Sequence, residues 1–433
     1  MPKQLTQRQI IILGGAVLVV VVLGFIVSLN FRTKSTATQL NLTVWGTDPE
    51  KVFRDMFDPY TSGGSKSVLR YIQIDPSQYK EKILSALAAG TGPDIFEIGN
   101  RELPQWENVL APLPVTATPQ FNLISLEQQF PTVVEQDFVD GGQIYALPFS
   151  VDTLAMVYNK DIFDSAGIAF PPKTWDEFQA DVPLLRTINS EGQITRSAAA
   201  IGGSGKTIDD APDILFLLMM QNGAAMTSPD FTTATFASGG PNGTAPGLDA
   251  FNFYLQVANA ASASYTWNDD MGNALDNFIQ GKTAILFTYK STLNEIKDKA
   301  PFLNVGVAAM PQATGASIFV NYAKYVGLAV PRAGQVASAW NFILQLTMSP
   351  VNENIYTSET GSPPALRESI AQNMSDPVLS IFASQALTAR SWRESNDAKV
   401  NDIMNAAVVN VLNGSANSTK ALAQAQEAVN EIQ

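Results

Sequence analysis

Residues 79–98 read YKEKILSALAAGTGPDIFEI, and three kinds of local chemistry follow one another within them. Tyr79, Ile83, Leu84, Leu87 and Ala88 recur at helical spacing, so residues 79–89 are predicted to form an amphipathic helix. Gly90-Thr91-Gly92-Pro93 ends it, and residues 94–98 follow as a short buried strand. Upstream, Asn41-Leu42-Thr43-Val44-Trp45 alternates and is β-branched, then breaks at Gly46-Thr47-Asp48-Pro49, which reads as a strand entering a turn. A strand, a helix and a second strand in that order predict parallel pairing in a layered α/β domain.

The same alternation continues downstream. Residues 154–158, 283–287 and 325–330 read as strands, with a short helix at 161–166 after the first of them. Thr174-Trp175-Asp176-Glu177 is a capping box, in which Thr174 and Glu177 serve each other's exposed backbone donors. Ser349-Pro350 is an N-cap followed by a first-turn proline. Residues 397–412 place Val400, Ile403, Met404, Ala407, Val408, Val411 and Leu412 on one stripe, predicting a docked amphipathic helix. The Gly/Ser/Thr/Asn-rich residues 238–247 read as a surface loop, and nothing repeats at a fixed period.

Composition bounds the function. Of 433 residues, 45% are hydrophobic and 15% charged, a balance that builds large cores and is the reverse of disorder. Setting aside residues 1–37 leaves chain enough for two or three domains. Forty acidic residues face twenty-seven basic ones, for a net charge of −13. Four of the bases (Lys3, Arg8, Arg32 and Lys34) lie in the acid-free first 37 residues, so the remainder is more acidic still. Such a body repels phosphate backbones and anionic headgroups, which sets nucleic-acid binding aside. The chain has neither Cys nor His, which removes disulfides, imidazole and thiolate metal ligands and the Ser-His and Cys-His catalytic pairs. No metal or cofactor is expected.

Residues 10–29, from Ile10 to Leu29, carry no charge, and twenty helical residues span a hydrocarbon core of about 30 Å. They read as a retained transmembrane anchor to the lipid bilayer. A cleaved signal ending at Ser35-Thr36-Ala37 is the alternative. Flanking charge does not orient the span, because bases stand on both sides of it.

Two motifs fail on inspection. Gly205-Lys206-Thr207 resembles the end of a phosphate-binding loop, but Ala200 stands where the first glycine belongs and Pro212 interrupts the following helix. Gly281-Lys282-Thr283 has Asp276 in that slot, where it would repel phosphate. Asn268-Asp269-Asp270-Met271-Gly272 resembles a calcium loop whose twelfth position is Ile279 instead of a bidentate Glu, so it reads as a solvated turn or helix cap.

Several ordered segments together resemble the extracellular solute-binding proteins of ABC importers, the family that includes maltose-binding protein. They are Leu42-Thr43-Val44-Trp45-Gly46, the helix–turn–strand of residues 79–95, and Gly142-Gln143-Ile144-Tyr145-Ala146-Leu147-Pro148-Phe149. The last continues through Tyr158-Asn159-Lys160 to Pro172-Lys173-Thr174-Trp175-Asp176-Glu177-Phe178. Phe278-Ile279-Gln280-Gly281-Lys282-Thr283-Ala284, Ala339-Trp340-Asn341-Phe342-Ile343, Gly361-Ser362-Pro363-Pro364-Ala365 and Leu412-Asn413-Gly414 complete the series. Each is weak alone; their order over residues 40–433 is specific.

The resemblance implies a two-lobe periplasmic-binding-protein fold (type II, Venus-flytrap) behind one N-terminal transmembrane helix. Residues 1–37 would be anchor or signal, 38–150 with 325–366 one lobe, and 151–322 with 367–433 the other. It further implies a monomeric soluble domain on the extracellular or periplasmic side of the cell membrane. That domain would capture a mono- or oligosaccharide between lobes and pass it to ABC permease subunits, with no turnover. A non-transport solute sensor and a glycoside hydrolase on the same cleft are the rivals. Polyols, sugar phosphates, polyamines and peptides stay open as ligands, anionic ones only if Arg101 or a Lys faces the cleft.

A sugar pocket needs carboxylates and amides to bracket hydroxyls, and aromatic faces for C–H surfaces. By analogy with the family, Asp152 stands where the chain first crosses lobes, as a ligand acid or a hinge cap. Asp48 follows the first strand, as a ligand acid or a turn former. Asn100 and Arg101 follow the strand at 94–98, where α/β ligand loops sit. Asp209, with Asp210, follows a Gly-rich loop. Tyr322 and Trp392 fall in cleft segments of the family; Trp267 and Tyr289 are further aromatic candidates, while Trp45 and Trp106 read as core. Tyr158, Asn159 and Lys160 read as fixing a strand-to-helix junction. Tyr322-Ala323-Lys324 replaces a Gly-Gly pair common in the family, which alters the cleft's shape.

Overall fold

A computed structural model describes residues 40–62, 67–115 and 119–432. The anchor expected at 10–29 lies outside them, and no described helix is long and apolar enough to cross a membrane. The chain divides into a small unit, whose described residues are 40–41, 58–62 and 67–69, and a large one formed by 42–57 and 70–432. Within the small unit the Leu40 N–H donates to Ser67 Oγ at 3.1 Å, and the Val68 N–H donates to the Leu40 carbonyl at 2.6 Å. All that follows concerns the large unit, two of whose strands (Asn41–Gly46 and Val68–Gln73) take their first residues from the small one.

Its strands are β1 (Asn41–Gly46), β2 (Val68–Gln73), β3 (Ile95–Gly99), β4 (Val139–Asp140), β5 (Gln143–Ile144), β6 (Ala146–Pro148), β7 (Asp152–Thr153), β8 (Ala155–Asn159), β9 (Thr187–Ile188), β10 (Ile194–Ala200), β11 (Thr283–Thr288), β12 (Val305–Ala308), β13 (Asn321–Lys324), β14 (Val326–Ala329) and β15 (Ala389–Arg390). One sheet has the order β2-β1-β3-β14-β6, and another β12-β8-β11-β10-β9. Each is the floor of a lobe. β1 and β3 run parallel, with Val44 opposite Ile95, as the strand–helix–strand reading requires. In the second lobe β10 and β11 are parallel, and β8 lies antiparallel between β11 and β12.

The third sheet, β15-β13-β7, is where the chain passes between lobes. β7 separates β6 of the first sheet from β8 of the second, and β13 separates β12 of the second from β14 of the first. The two-lobe α/β architecture implied by the resemblance is therefore present.

Local chemistry sets most boundaries. The helix Trp175–Leu185 starts on the complete Thr174–Glu177 capping box, and Pro350–Thr360 on the Ser349 cap. The Asn159 side chain accepts from the N–H groups of Asp161 and Ile162, turning β8 into the helix Lys160–Ser165. The helix Pro76–Ala88 differs from its predicted stripe: Ile83 is fully buried, but Leu84 is 46% exposed. The helix rides on the lobe surface with a single column inward, so spacing alone overstated its buried face. Residues 238–247 hold a 3-10 turn, Pro241–Gly243, and the first residues of the helix Pro246–Gln256. They are less purely loop than their composition suggests. In the helix Asp397–Leu412, Val400, Met404, Ala407 and Val408 are buried in the second-lobe core, and Leu412 is exposed.

Candidate functional site

The carboxyl end of β3 delivers Asn100 and Arg101, both almost fully buried, to the seam between lobes. A parallel strand ends there with its loop facing the crevice, which is where α/β sheets place ligand groups. Asn100 Nδ2 donates to Asp137 at 3.0 Å, and its Oδ1 accepts from the Tyr325 N–H at 3.2 Å. Asn100 thus fastens the Arg101 loop to the start of β14.

Arg101 is the centre of a charged cluster. Its Nη1 donates to the Tyr322 hydroxyl oxygen at 3.0 Å and to Glu394 at 3.1 Å, and lies 3.4 Å from Asp213 on the second-lobe helix Ala211–Gln221. Asp397 is 3.9 Å from Nη2. Lys80 links Glu102 at 2.8 Å and Asp397 at 3.4 Å. Lys324, at the end of β13, reaches Asp213 at 3.6 Å and Asp210 at 3.9 Å, and lies 5.3 Å from the Tyr289 ring centre. The Tyr289 hydroxyl donates to Asp213 at 2.9 Å, and Thr288 donates to Asp210 at 2.8 Å. A buried guanidinium is tolerable only when opposed and hydrogen-bonded in this way.

Burial pushes the Glu394 carboxyl up to about 8 despite the opposing Arg101 charge, and Asp210 up to about 6 against Lys324. Two acceptor oxygens on elements of this seam are buried and accept no hydrogen bond from any protein group: Glu394 Oε2 and Asn401 Oδ1. Asn401 is one helical turn beyond Asp397, and Asn405, one turn further, accepts from the Gly205 N–H at 2.7 Å. Asn401 therefore sits between the Arg101 cluster and the 203–207 loop.

Asp48 belongs to a second cluster at the same end of the first sheet. It accepts from the Tyr356 hydroxyl at 2.8 Å, while its carbonyl accepts from Tyr71 at 3.0 Å. Beside it Glu97 accepts from the Thr47 N–H at 2.8 Å, and burial followed by the Asp48 charge pushes Glu97 up to about 8. Gly46 makes this possible: a Cβ there would fall 2.0 Å from Glu97 Oε1.

The other candidates are distributed by packing. Both Asp152 oxygens face backbone N–H groups, of Thr153 at 2.9 Å, Lys290 at 3.2 Å and Ser291 at 3.4 Å, so Asp152 joins β7 to the start of the helix Lys290–Lys299. Asp209 is exposed, and its neighbour Asp210 is the one that enters the cluster. Trp267 is fully buried, its Nε1 donating to Thr207 at 3.1 Å, in the second-lobe core. Trp392 packs edge-on to Phe216 at 5.3 Å in that same core. Of the nine candidate residues, the structure brings Arg101, Tyr289 and Tyr322 directly together. Asp213, Glu394, Asp397, Lys80 and Lys324 were missed. Asp213 alone carried a signal, as a lone charge in an otherwise apolar helix.

The loop that imitated a phosphate cradle wraps the chain's own carboxylate: Ser204 N–H and Thr207 Oγ1 each donate to Asp269 at 2.8 Å. Asp269 is thereby a structural anchor instead of a solvated turn residue. Among the described residues no group of three or more acidic side chains is placed to hold a metal ion.

Residues 47–343 match the family model of the bacterial extracellular solute-binding proteins. The chain belongs to this family. A Brucella abortus protein described as a binding protein is 30% identical over 245 residues, 54% of either chain. The diacetylchitobiose-binding protein of Streptomyces coelicolor is 31% identical over 153 residues, a third of either chain. The chain spans about half the length of the first of these curated relatives. Among solved structures, the sugar-binding protein MalE of Xanthomonas citri has the same fold, with a TM-score of 0.75 at 18% identity over 90% of this chain and 97% of that one. An ABC substrate-binding protein of Listeria monocytogenes in complex with cycloalternan gives 0.70 at 19% over 91% and 98%.

Proposed function

We propose that this member of the family is a sugar receptor of an ABC importer. It takes a mono- or oligosaccharide into the seam between its lobes and delivers it unchanged to permease subunits. The observation that carries the reading is a pair of unpartnered acceptors, Glu394 Oε2 on the carboxyl that pairs with Arg101, and Asn401 Oδ1 one helical turn beyond Asp397. Sugar hydroxyls are donors that such oxygens need, and Arg101 and Lys324 serve the hydroxyl oxygens. Ligands named for the relatives, diacetylchitobiose among them, agree with this chemistry.

The lobes are residues 38–150 with 325–366 and 151–322 with 367–433, and closure is favoured because solute contacts form on both only when they meet. The receptor is held at the outer face of the membrane by residues 10–29 and acts as a monomer. Arg101, Asp210, Asp213, Tyr289, Tyr322, Glu394 and Asn401 form the site, with Asp48 on the adjoining first-lobe rim.

A panel of mono- and oligosaccharides screened by thermal shift tests the reading. A true solute at 100 times its Kd stabilises by about 2.7 kcal/mol and is recovered chemically intact. No shift across the panel would remove the sugar assignment, and hydrolysed glycan would turn the receptor into an enzyme.

A further inference from the structure

A cavity of about 250 Å³ lies where the chain passes between lobes, apart from the Arg101 cluster. Gln136 lines it from the first lobe, Met220, Met226 and Phe231 from the second, and Arg390 and Trp392 from β15 and the residues just after it. None of Arg101, Asp213, Tyr289, Tyr322 and Glu394 is among its walls. Two donors on these walls are left over. Trp392 is 2% exposed, and its indole Nε1–H finds no acceptor in the protein. The Arg390 guanidinium donates to the carbonyl of its neighbour Ala389 at 3.4 Å, and among the described residues no carboxylate pairs with it. Acids on the adjoining elements are engaged elsewhere. Asp137 accepts from Asn100, Tyr325 and Ser391, Asp140 from Arg393, and Asp230 from Ser228 and Thr232.

The second-lobe walls are apolar, and one of them is strained. Phe231 stands in a hairpin closed by Thr227 and Ala234, with a φ of 59°, a left-handed conformation that a bulky residue rarely adopts. Its ring is held by Arg393, whose guanidinium lies 4.3 Å from the ring centre while donating to Asp140 at 2.7 Å and to the Gln136 carbonyl at 2.9 Å. Strain of this kind persists where packing over-determines it, and it gathers at ligand clamps. An arginine fork and an indole N–H together complement a carboxylate. Met220, Met226 and Phe231 complement a hydrocarbon body, and would strip water from a sugar's hydroxyls without replacing it. The volume is a little below that of pockets for drug-sized ligands, so the occupant is small.

We infer that this cavity is a second binding site, one for a small organic carboxylate with an apolar body. It goes beyond the sugar-receptor reading and does not depend on it. The carboxylate lies against Arg390 and the Trp392 N–H, and the body against Met220, Met226 and Phe231.

Titration calorimetry in a carboxylate-free buffer at about pH 7, where guanidinium and carboxylate are both charged, tests this with four probes. They are benzoate, the neutral benzamide of nearly the same shape, the cation benzylamine, and acetate, which lacks the apolar body. Benzoate is expected to bind at least about tenfold more tightly than each of the others. Arg390→Met is expected to erase the preference for benzoate over benzamide. Phe231→Gly, which also relieves the left-handed strain, is expected to weaken both aromatic probes severalfold. The probe series on the unmodified chain needs no variant to fold. Benzamide or acetate binding as tightly as benzoate, benzoate affinity unchanged in Arg390→Met, or no binding of benzoate overturns the site. Each of these results leaves the sugar-receptor reading standing.

Discussion

Asp152 shows how a single carboxylate can be occupied by the chain's own backbone donors. Three backbone N–H groups face its two oxygens, and burial pushes its carboxyl up to about 7 even so. Asp152→Ala would leave those donors without an acceptor inside the protein, and is expected to lower unfolding stability by about 1–3 kcal/mol in urea titration. An unchanged midpoint would release Asp152 from the cap and return it to the ligand candidates. Arg101 is the contrasting residue. Its partners Asp213 and Glu394 are 112 and 293 positions away in the chain, so no local pattern announces them. With forty acids to choose from, sequence proposes Arg101 as a ligand-loop residue but cannot choose its neighbours.

Elements were the most legible scale, because caps and breakers act within one turn. The Thr174–Glu177 box, the Asn159 cap and the Ser349-Pro350 start all stand where the residue types place them. Thr174→Ala removes a cap whose hydrogen bonds stay within residues 173–177 and is expected to cost about 1 kcal/mol of stability while leaving solute affinity unchanged, as denaturation and calorimetry on one preparation would show. A loss of affinity in that variant would tie the second-lobe helix Trp175–Leu185 to the site. The helix Pro76–Ala88 was less legible in its burial than in its existence: apolar spacing reports which face can pack, and the neighbouring sheet determines how much of it does.

Across the whole molecule, burial has raised many carboxyls together: Glu97 and Glu394 to about 8, Asp152 and Glu353 to about 7, Asp137 and Asp210 to about 6. The unfolded chain releases these protons near pH 4. Between there and about pH 8 the folded protein therefore binds more protons, and stability falls as pH rises. Carboxyls held below their ordinary value, such as Asp376, contribute stability that is lost only under stronger acid. The melting temperature is accordingly expected to be higher at pH 5 than at pH 8 in scanning calorimetry; a rise over that interval would mean these groups are hydrated in solution. The amino-acid sequence by itself determined the α/β class, the strand–helix–strand opening, the helix starts and the family likeness, since each depends on neighbours within a few turns or on ordered landmarks. Only the tertiary structure decided that Trp267 and Trp392 are core, that Asp152 serves a helix start, and that Arg101 gathers Asp213, Glu394 and Tyr322. Those are matters of which distant side chains share one low-dielectric space, and chain separation carries no record of that.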